Sequence, residues 1–362
     1  MRLRSRTAVV SAAALAGVLA VTTVAPAAAE EGPRAASSSK GHESRDKHGL
    51  RVATYNASLN RGEQGQLLRD LSTPDNQQAR NIAQVIQIND PDIVLLNEFD
   101  YVPGGRAARA FRDNYLAVSQ NGHAPVDYPY HYVAPVNTGV PSGLDLNQDG
   151  TVGGPDDAWG FGLFPGQYGM VIYSKYPIAR DRVRTFQHFR WQDMPGNRLP
   201  TDYYTPEQAA QLRLSSKSHW DVPVRVGHKT VHVLAAHPTP PSFDGPEDRN
   251  GRRNNDEIRF WADYVTGTKS ARYIYDDAGR RGGLPRGERF VIVGDYNSDP
   301  NDGDSFPGAA RQLLDNSRVR DPQPTSTGAV VASARQGGAN RTHVTRPALD
   351  TADFSDDPAP GN

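Results

Sequence analysis

The sequence predicts a single mixed domain, α/β or α+β, on three observations. Short apolar runs bounded by turn residues recur from Leu50 onward. Segments of helical period lie between them, and no unit repeats along the chain, so a repeat architecture is excluded. RVATYNASL, DIVLLNEF, GMVIYSKYPI, HVLAAH and FVIVGDYN read as buried strands. Between the first two, DNQQARNIAQVIQIND sets Ala79, Ile82, Ala83 and Ile86 at helical spacing, with Asp75 as N-cap. NNDEIRFWADYVTG predicts a second helix, with Ile258, Trp261, Ala262 and Val265 on one face.

The two ends differ from this core. Residues 1–29 carry Arg2, Arg4 and Arg6, then an apolar run, then Ala27, Ala28 and Ala29. That order is expected of a secretory signal peptide, which makes the product secreted and extracellular. Residues 30–48 are rich in Ser, Gly and charge and are expected to be a disordered linker. No later stretch reaches the roughly 20 continuous apolar residues of a membrane span, and the chain has no cysteine for disulfide stapling. Stability must then come from the core, with bound metal as a further source. The formal charge is −1, and losing the three leader arginines takes it to −4. Such a balance gives no electrostatic footprint for tight duplex binding.

Polar residues punctuate the strand ends. Asn56 follows RVATY, Glu98 follows DIVLLN, His237 follows VHVLAA, and Asp295 and Asn297 follow FVIVG. Strand ends are where a rigid sheet gathers side chains from distant positions. Oxygen ligands from Asn56 and Glu98 suit a hard divalent ion such as magnesium. His237 and Asp295 supply a cation and a base, so the set contains the parts for attack of water on a phosphoester. Each has a plainer reading alone: Glu98 as a solvated strand end, GDYN as an ordinary turn, His237 as a satisfied buried histidine.

The ordered set TYNASL, LLNEFD, GMVIYSKYPI, LAAHPTPP and VIVGDYNSDP resembles the endonuclease/exonuclease/phosphatase superfamily over about residues 50 to 300. That superfamily includes pancreatic-type deoxyribonucleases, apurinic endonucleases, sphingomyelinases and inositol phosphatases. The resemblance implies an α+β fold, a four-layer α/β/β/α sandwich of two packed mixed sheets, spanning residues 49–362. It also implies phosphoester hydrolysis with Mg2+ or Mn2+. Carried over by position, Asn56 and Glu98 match the metal side, His237 the histidine at the scissile phosphate, Asp295 the residue that activates water, and Asn297 its phosphate-binding partner. The family closes its domain with an Asp-bearing strand and an Asp-His pair, and neither follows Asn297 here. His343 and Asp350 are the nearest residues, and a chain truncated at its C-terminus is the expectation. Small organic phosphates, phospholipid head groups and nucleic acid are the substrate classes that fit, nucleic acid ranking below the others because of the charge. No stable protein partner is implied. A non-catalytic calcium-binding protein on the same scaffold is the competing class.

Three further residues are candidates for substrate contact. His219 lies in SSKSHWDVPV beside Trp220, and Arg252 and Arg253, with Arg249, precede the second helix, where guanidinium groups suit an anion. LDLNQDGTVGGPDD fits a calcium loop over 145–156, with Asp145, Asn147, Asp149, Thr151 and Asp156 as ligands and Gly150 at the sharp turn. Pro155 and the glycines after it argue against flanking helices, so a single structural Ca2+ site is expected.

Overall fold

The computed structural model describes residues 49–352; the expected leader, the expected linker and residues 353–362 lie outside them. The strands are β1 (Val52–Leu59), β2 (Ile93–Phe99), β3 (Tyr130–Tyr132), β4 (Met170–Ser174), β5 (Arg184–Thr185), β6 (Trp220–Val226), β7 (Lys229–Ala236) and β8 (Arg289–Gly294). The helices are α1 (Gln66–Asp70), α2 (Gln77–Asn89), α3 (Arg106–Phe111), α4 (Pro206–Gln211), α5 (Arg249–Thr266), α6 (Arg311–Leu314) and α7 (Thr327–Gln336). No helix among the described residues is long and apolar enough to cross a membrane.

Strand alternation explains the layering. On β2, Ile93 and Leu95 face one way and join Val222, Val224, Val233, Ala235 and Val293 in a core between two sheets. Val94 and Leu96 face the other way, under Ile82, Ala83, Ile86 and Phe111 of α2 and α3. On β7, Leu234 and Ala236 turn outward beneath Ile258, Trp261 and Val265 of α5. Each buried Val, Leu, Ile or Phe among these contributes about 1.5–3 kcal/mol relative to exposure. Helix, sheet, sheet and helix are thus stacked, and the four-layer sandwich is the observed fold.

The sheets run β1-β2-β4-β3 and β5-β6-β7-β8. β1 pairs parallel to β2, and β7 parallel to β8, while the remaining ladders are antiparallel. Both sheets are therefore mixed, and each has a parallel pair at the functional end.

Two helix boundaries correct the sequence reading. The cap of α2 is Asn76, whose side-chain oxygen accepts from Ala79 N at 3.0 Å; Asp75 stands one residue outside. The helix stops at Asp90 in left-handed conformation, and Pro91 cannot extend it. The helix α5 starts at Arg249, so Arg249, Arg252 and Arg253 sit within its first turns and do not precede it. Its cap, Asp248, makes no side-chain capping bond and has φ of 51°, which is why no start signal was legible there.

Candidate active site

The inter-sheet faces carry the site as a continuation of their alternation. On β7 the inward series Val233, Ala235 extends to His237, and on β8 the series Val291, Val293 extends to Asp295. On β2, Ile93 and Leu95 lead to Asn97, and on β1, Val52 leads through Thr54 to Asn56. Four strands of two sheets thus deliver polar residues to one end of the same apolar layer.

Asn56 joins them. Its amide nitrogen donates to Glu98 Oε1 at 2.9 Å and to Asp295 Oδ2 at 2.9 Å, and its own oxygen accepts from Ser58 N at 3.0 Å. One neutral donor thereby holds two carboxylates, from different sheets, that would otherwise repel. His237 Nε2 stands 3.8 Å from the same Asp295 oxygen. Asn97, fully buried, accepts from Asp295 N at 3.2 Å and donates to Ala236 O at 3.3 Å, stitching the sheets beneath the cluster. Sequence reasoning passed over Asn97; its one signal was an amide at an inward position of an otherwise apolar strand.

Backbone conformation aims two of these groups. Glu98 and Asn297 have φ of 56° and 48°, a region uncommon for residues other than glycine. The turn at Glu98 takes its carboxylate out of the strand alternation and back to Asn56. Asn297 N–H donates to Asp295 Oδ1 at 3.1 Å, and its side-chain nitrogen donates to Pro238 O at 3.1 Å, tying the GDYN turn to the residue after His237.

Charge states follow from these surroundings. Burial pushes the His237 imidazole well below its ordinary value, and the Lys217 ammonium pushes it further, against the pull of Asp295, so the ring is neutral at pH 7. For Asp295, burial acts upward, but the His237 ring, the Asn56 amide, the Asn297 N–H and Lys217 together hold the carboxyl below its usual range. The site therefore presents an ionised carboxylate beside a neutral imidazole.

Behind it lies a second buried layer. Glu257, on α5, accepts from Ser216 N at 2.7 Å, Ser216 Oγ at 3.2 Å and Thr239 N at 2.7 Å. These bonds clamp the segment before β6 to the segment after His237. Burial raises the Glu257 carboxyl, opposed by Arg253, these N–H groups and Lys217.

The three residues expected to hold substrate are placed differently. His219 precedes β6 and is 1% exposed, with Ser215 Oγ on Nδ1 at 2.5 Å and Glu257 O on Nε2 at 2.9 Å. Its ring packs on Phe260 and Trp261, and burial pushes it down to about 4. Arg253 spends its guanidinium on the carbonyls of Leu214, Trp159 and Arg213, at 2.8, 2.7 and 2.9 Å. Both ring nitrogens of His219 and three of the five N–H donors of Arg253 are thus engaged by the interior. Arg252 is partly buried, and its buried Nε has no hydrogen-bond partner among the described residues.

The loop at 145–156 is shaped by its own carboxylates. Asp145 accepts from Asp149 N at 3.1 Å and Gly150 N at 2.9 Å, and Asp149 accepts from Thr151 N at 2.8 Å and the Asn147 amide at 3.1 Å. The side chain that turns inward at its end is Asp157, 2% exposed and accepting from Leu146 N at 2.6 Å and Gly153 N at 2.8 Å, in place of the expected Asp156. Beside His343, the N–H groups of Val344 and Thr345 donate to Asp302 at 3.0 and 2.8 Å.

Among the described residues, no group of three or more His, Cys, Asp or Glu side chains surrounds a common ion position. Magnesium does not require one, since it is held by one or two carboxylates and keeps water or phosphate elsewhere. Glu98 fits that pattern: Oε1 takes the Asn56 amide, and Oε2 accepts no hydrogen bond from the described residues. Asn56 as placed serves the carboxylates through nitrogen and would reach an ion through oxygen only after a half-turn of its amide.

Comparison with known proteins adds the family. No curated protein matches the chain. Among solved structures, one described as an endonuclease/exonuclease/phosphatase from Beutenbergia cavernae is 19% identical, with 83% of this chain and 62% of that chain covered and a TM-score of 0.45. This chain therefore spans less than two thirds of that protein's length. A beta toxin variant from Staphylococcus aureus with bound magnesium is also 19% identical, covering 75% of this chain and 71% of its own, at a TM-score of 0.40. Sphingomyelinase C from Streptomyces griseocarneus is 18% identical, covering 74% and 69%, at a TM-score of 0.37. The sequence pattern of the Endonuclease/Exonuclease/phosphatase family matches residues 53–361, taking in every member of the cluster. The chain belongs to that family.

Proposed function

We propose that this chain is a secreted, magnesium-dependent phosphoesterase that cleaves phosphate mono- or diesters by attack of water. The observation that carries the reading is the single Asn56 amide holding Glu98 and Asp295 at 2.9 Å each, with His237 at 3.8 Å from the same Asp295 oxygen. Glu98 would hold the ion, which, when bound, supplies positive charge to the phosphate and polarises it for attack.

The chain's own residues do the rest. Asp295, ionised and fixed by Asn56 and the Asn297 N–H, takes a proton from water as the water oxygen bonds to phosphorus and the ester oxygen leaves. Neutral His237 places an N–H beside that carboxylate, suited to a phosphoryl oxygen on which charge builds. Asn297 steadies the turn that carries Asp295 through its bond to Pro238 O.

Small or lipid phosphoesters rank ahead of nucleic acid, on the mature charge of −4, obtained from −1 by removing three arginines. Ca2+ at 145–156 is our reading of the second metal position, supported by the spacing of Asp145, Asn147 and Asp149 and the glycine turn. Its role is to pin a long loop in a chain without disulfides.

The test is hydrolysis of bis-p-nitrophenyl phosphate and p-nitrophenyl phosphate with magnesium and with EDTA, for the full chain and for Glu98→Ala and Asp295→Ala. Magnesium-dependent turnover lost in both variants is expected. Turnover of neither ester, nor of DNA, would sink the reading.

A further inference from the structure

The parallel ladder of β7 and β8 ends at the pair Ala236 and Gly294. His237 and Asp295 stand just beyond it, so strand pairing no longer fixes the distance between the two segments that carry them. A third element does. Asn254, on α5, is fully buried, and its side-chain nitrogen donates to Thr239 O at 2.8 Å and to Tyr296 O at 2.9 Å. Thr239 follows His237 by one intervening proline, and Tyr296 is the residue after Asp295.

Both partners are carbonyl oxygens, so the nitrogen of the amide, and not its oxygen, must lie between them. Each of its two N–H groups thus serves one segment. The side-chain oxygen makes no hydrogen bond among the described residues, so the amide's bonding there is spent on these two segments. One helical turn further on, Glu257 accepts from Thr239 N at 2.7 Å, and α5 therefore grips both the N–H and the C=O of the same residue. The helix is a firm base for this, anchored in the core by Ile258, Trp261 and Val265 and bonded through Arg253 to three carbonyls.

We propose that Asn254 is a positioning residue, its amide setting the spacing of His237 and Asp295 from the helix side as Asn97 does from the opposite sheet. The effect on turnover rests on the phosphoesterase reading above; the spacing, 3.8 Å between His237 Nε2 and Asp295 Oδ2, does not. Without the donor, two carbonyl groups lose their partner and the segments shift to satisfy them elsewhere. A leucine at 254 keeps the volume and offers no donor, whereas an aspartate keeps the shape and sets oxygen against oxygen.

The experiment compares the full chain with Asn254→Leu, with Asn254→Asp and with Val265→Ala, a core change on the last turn of α5 that controls for lost stability alone. The readouts are thermal melting, kcat and KM on bis-p-nitrophenyl phosphate with magnesium, and the imidazole NMR signals of His237, assigned by their loss in His237→Asn. Below their melting temperatures, both Asn254 variants should lower kcat about 100-fold, the size expected of a misplacement of about 1 Å, with KM within about twofold. They should also move the His237 signals, while Val265→Ala lowers the melting temperature and leaves kcat and the signals as in wild type. Wild-type kcat or unmoved His237 signals in the folded Asn254 variants overturn the assignment, as does an equal movement in Val265→Ala. Signals that move in the Asn254 variants of a chain that hydrolyses no phosphoester keep the assignment and refute the phosphoesterase. Should neither Asn254 variant fold, wild type decides through NMR couplings across the hydrogen bonds from the Asn254 side-chain nitrogen to the carbonyl carbons of Thr239 and Tyr296. Both couplings present support the clamp, and the absence of either overturns it.

Discussion

Replacing Asn56 by aspartate tests the idea that one amide keeps two carboxylates together. The change removes two donor contacts of 2.9 Å, to Glu98 Oε1 and Asp295 Oδ2. Hydrogen bonds to charged groups contribute about 1.5–3 kcal/mol each, so about 3–6 kcal/mol of local stabilisation disappears. A third carboxylate in the same place adds repulsion of about 4 kcal/mol per neighbour at an effective dielectric near 20 and about 4 Å separation. Proton uptake is the cheapest relief, and the cluster should take up a proton with an apparent pKa raised by about 2–4 units. Asp295 must be ionised to accept a proton, so the acid limb of kcat/KM moves to higher pH by the same amount, and activity falls about tenfold for each pH unit below the shifted limb. Asn56→Ala, which removes the donor without adding charge, should shift the limb by about one unit, since one pKa unit corresponds to about 1.4 kcal/mol. The assay is the pH profile of kcat/KM on bis-p-nitrophenyl phosphate for all three proteins. An unmoved acid limb in Asn56→Asp would refute the bridging role.

Other outcomes follow from the same geometry. His219 is pushed from 6.5 down to about 4, so the folded state favours the neutral ring; the stability it provides is present above pH 6.5 and is lost as pH falls towards 4. That loss amounts to about 3 kcal/mol, and His219→Asn should flatten the fall in urea midpoint between pH 7 and pH 4.5; an equally steep fall would contradict it. Burial pushes Asp100 from 3.8 up to about 7, against the Tyr168 and Arg61 N–H groups that bind it, so its contribution is present at low pH and is lost as pH rises through about 7. Asp100→Asn should then be more stable relative to wild type at pH 8 than at pH 5, measured by the same denaturation, and no change in that difference would count against a titrating Asp100. Asn97→Leu removes the acceptor of Asp295 N and the donor to Ala236 O, which should cost about 1–3 kcal/mol and lower kcat with little change in KM. For the 145–156 loop, thermal melting with calcium and with a calcium chelator, magnesium held constant, should differ by several degrees; identical curves remove calcium from that loop.

The strands were legible because short apolar runs ended by turn residues leave little choice of structure, and Asn56, Glu98, His237 and Asp295 were legible because they stand where those runs stop. The contacts among them were not, since Asn56 and Asp295 are 239 residues apart and only the packing of two sheets brings them to 2.9 Å. His219 and Arg253 carry functional side chains near the right segment, but their orientation is set by Glu257, Leu214 and Trp159, which no local pattern announces.

The bond between Asn56 and Asp295 also fixes when this protein becomes competent. It closes a loop of 239 residues, and Asn97 to Asp295 closes one of 198, so neither can form early in a chain whose hairpins and helices assemble locally. The sheet of β1 to β4 can mature alone around α2 and α3, and that of β5 to β8 around α5, each with its own apolar cluster. Only their docking creates the carboxylate pair. Refolding followed by tryptophan fluorescence, to which Trp159, Trp191 and Trp261 contribute from the second sheet's own cluster and Trp220 from the layer between the sheets, should therefore begin ahead of recovered hydrolysis, and catalysis becomes a clock for the final step of folding.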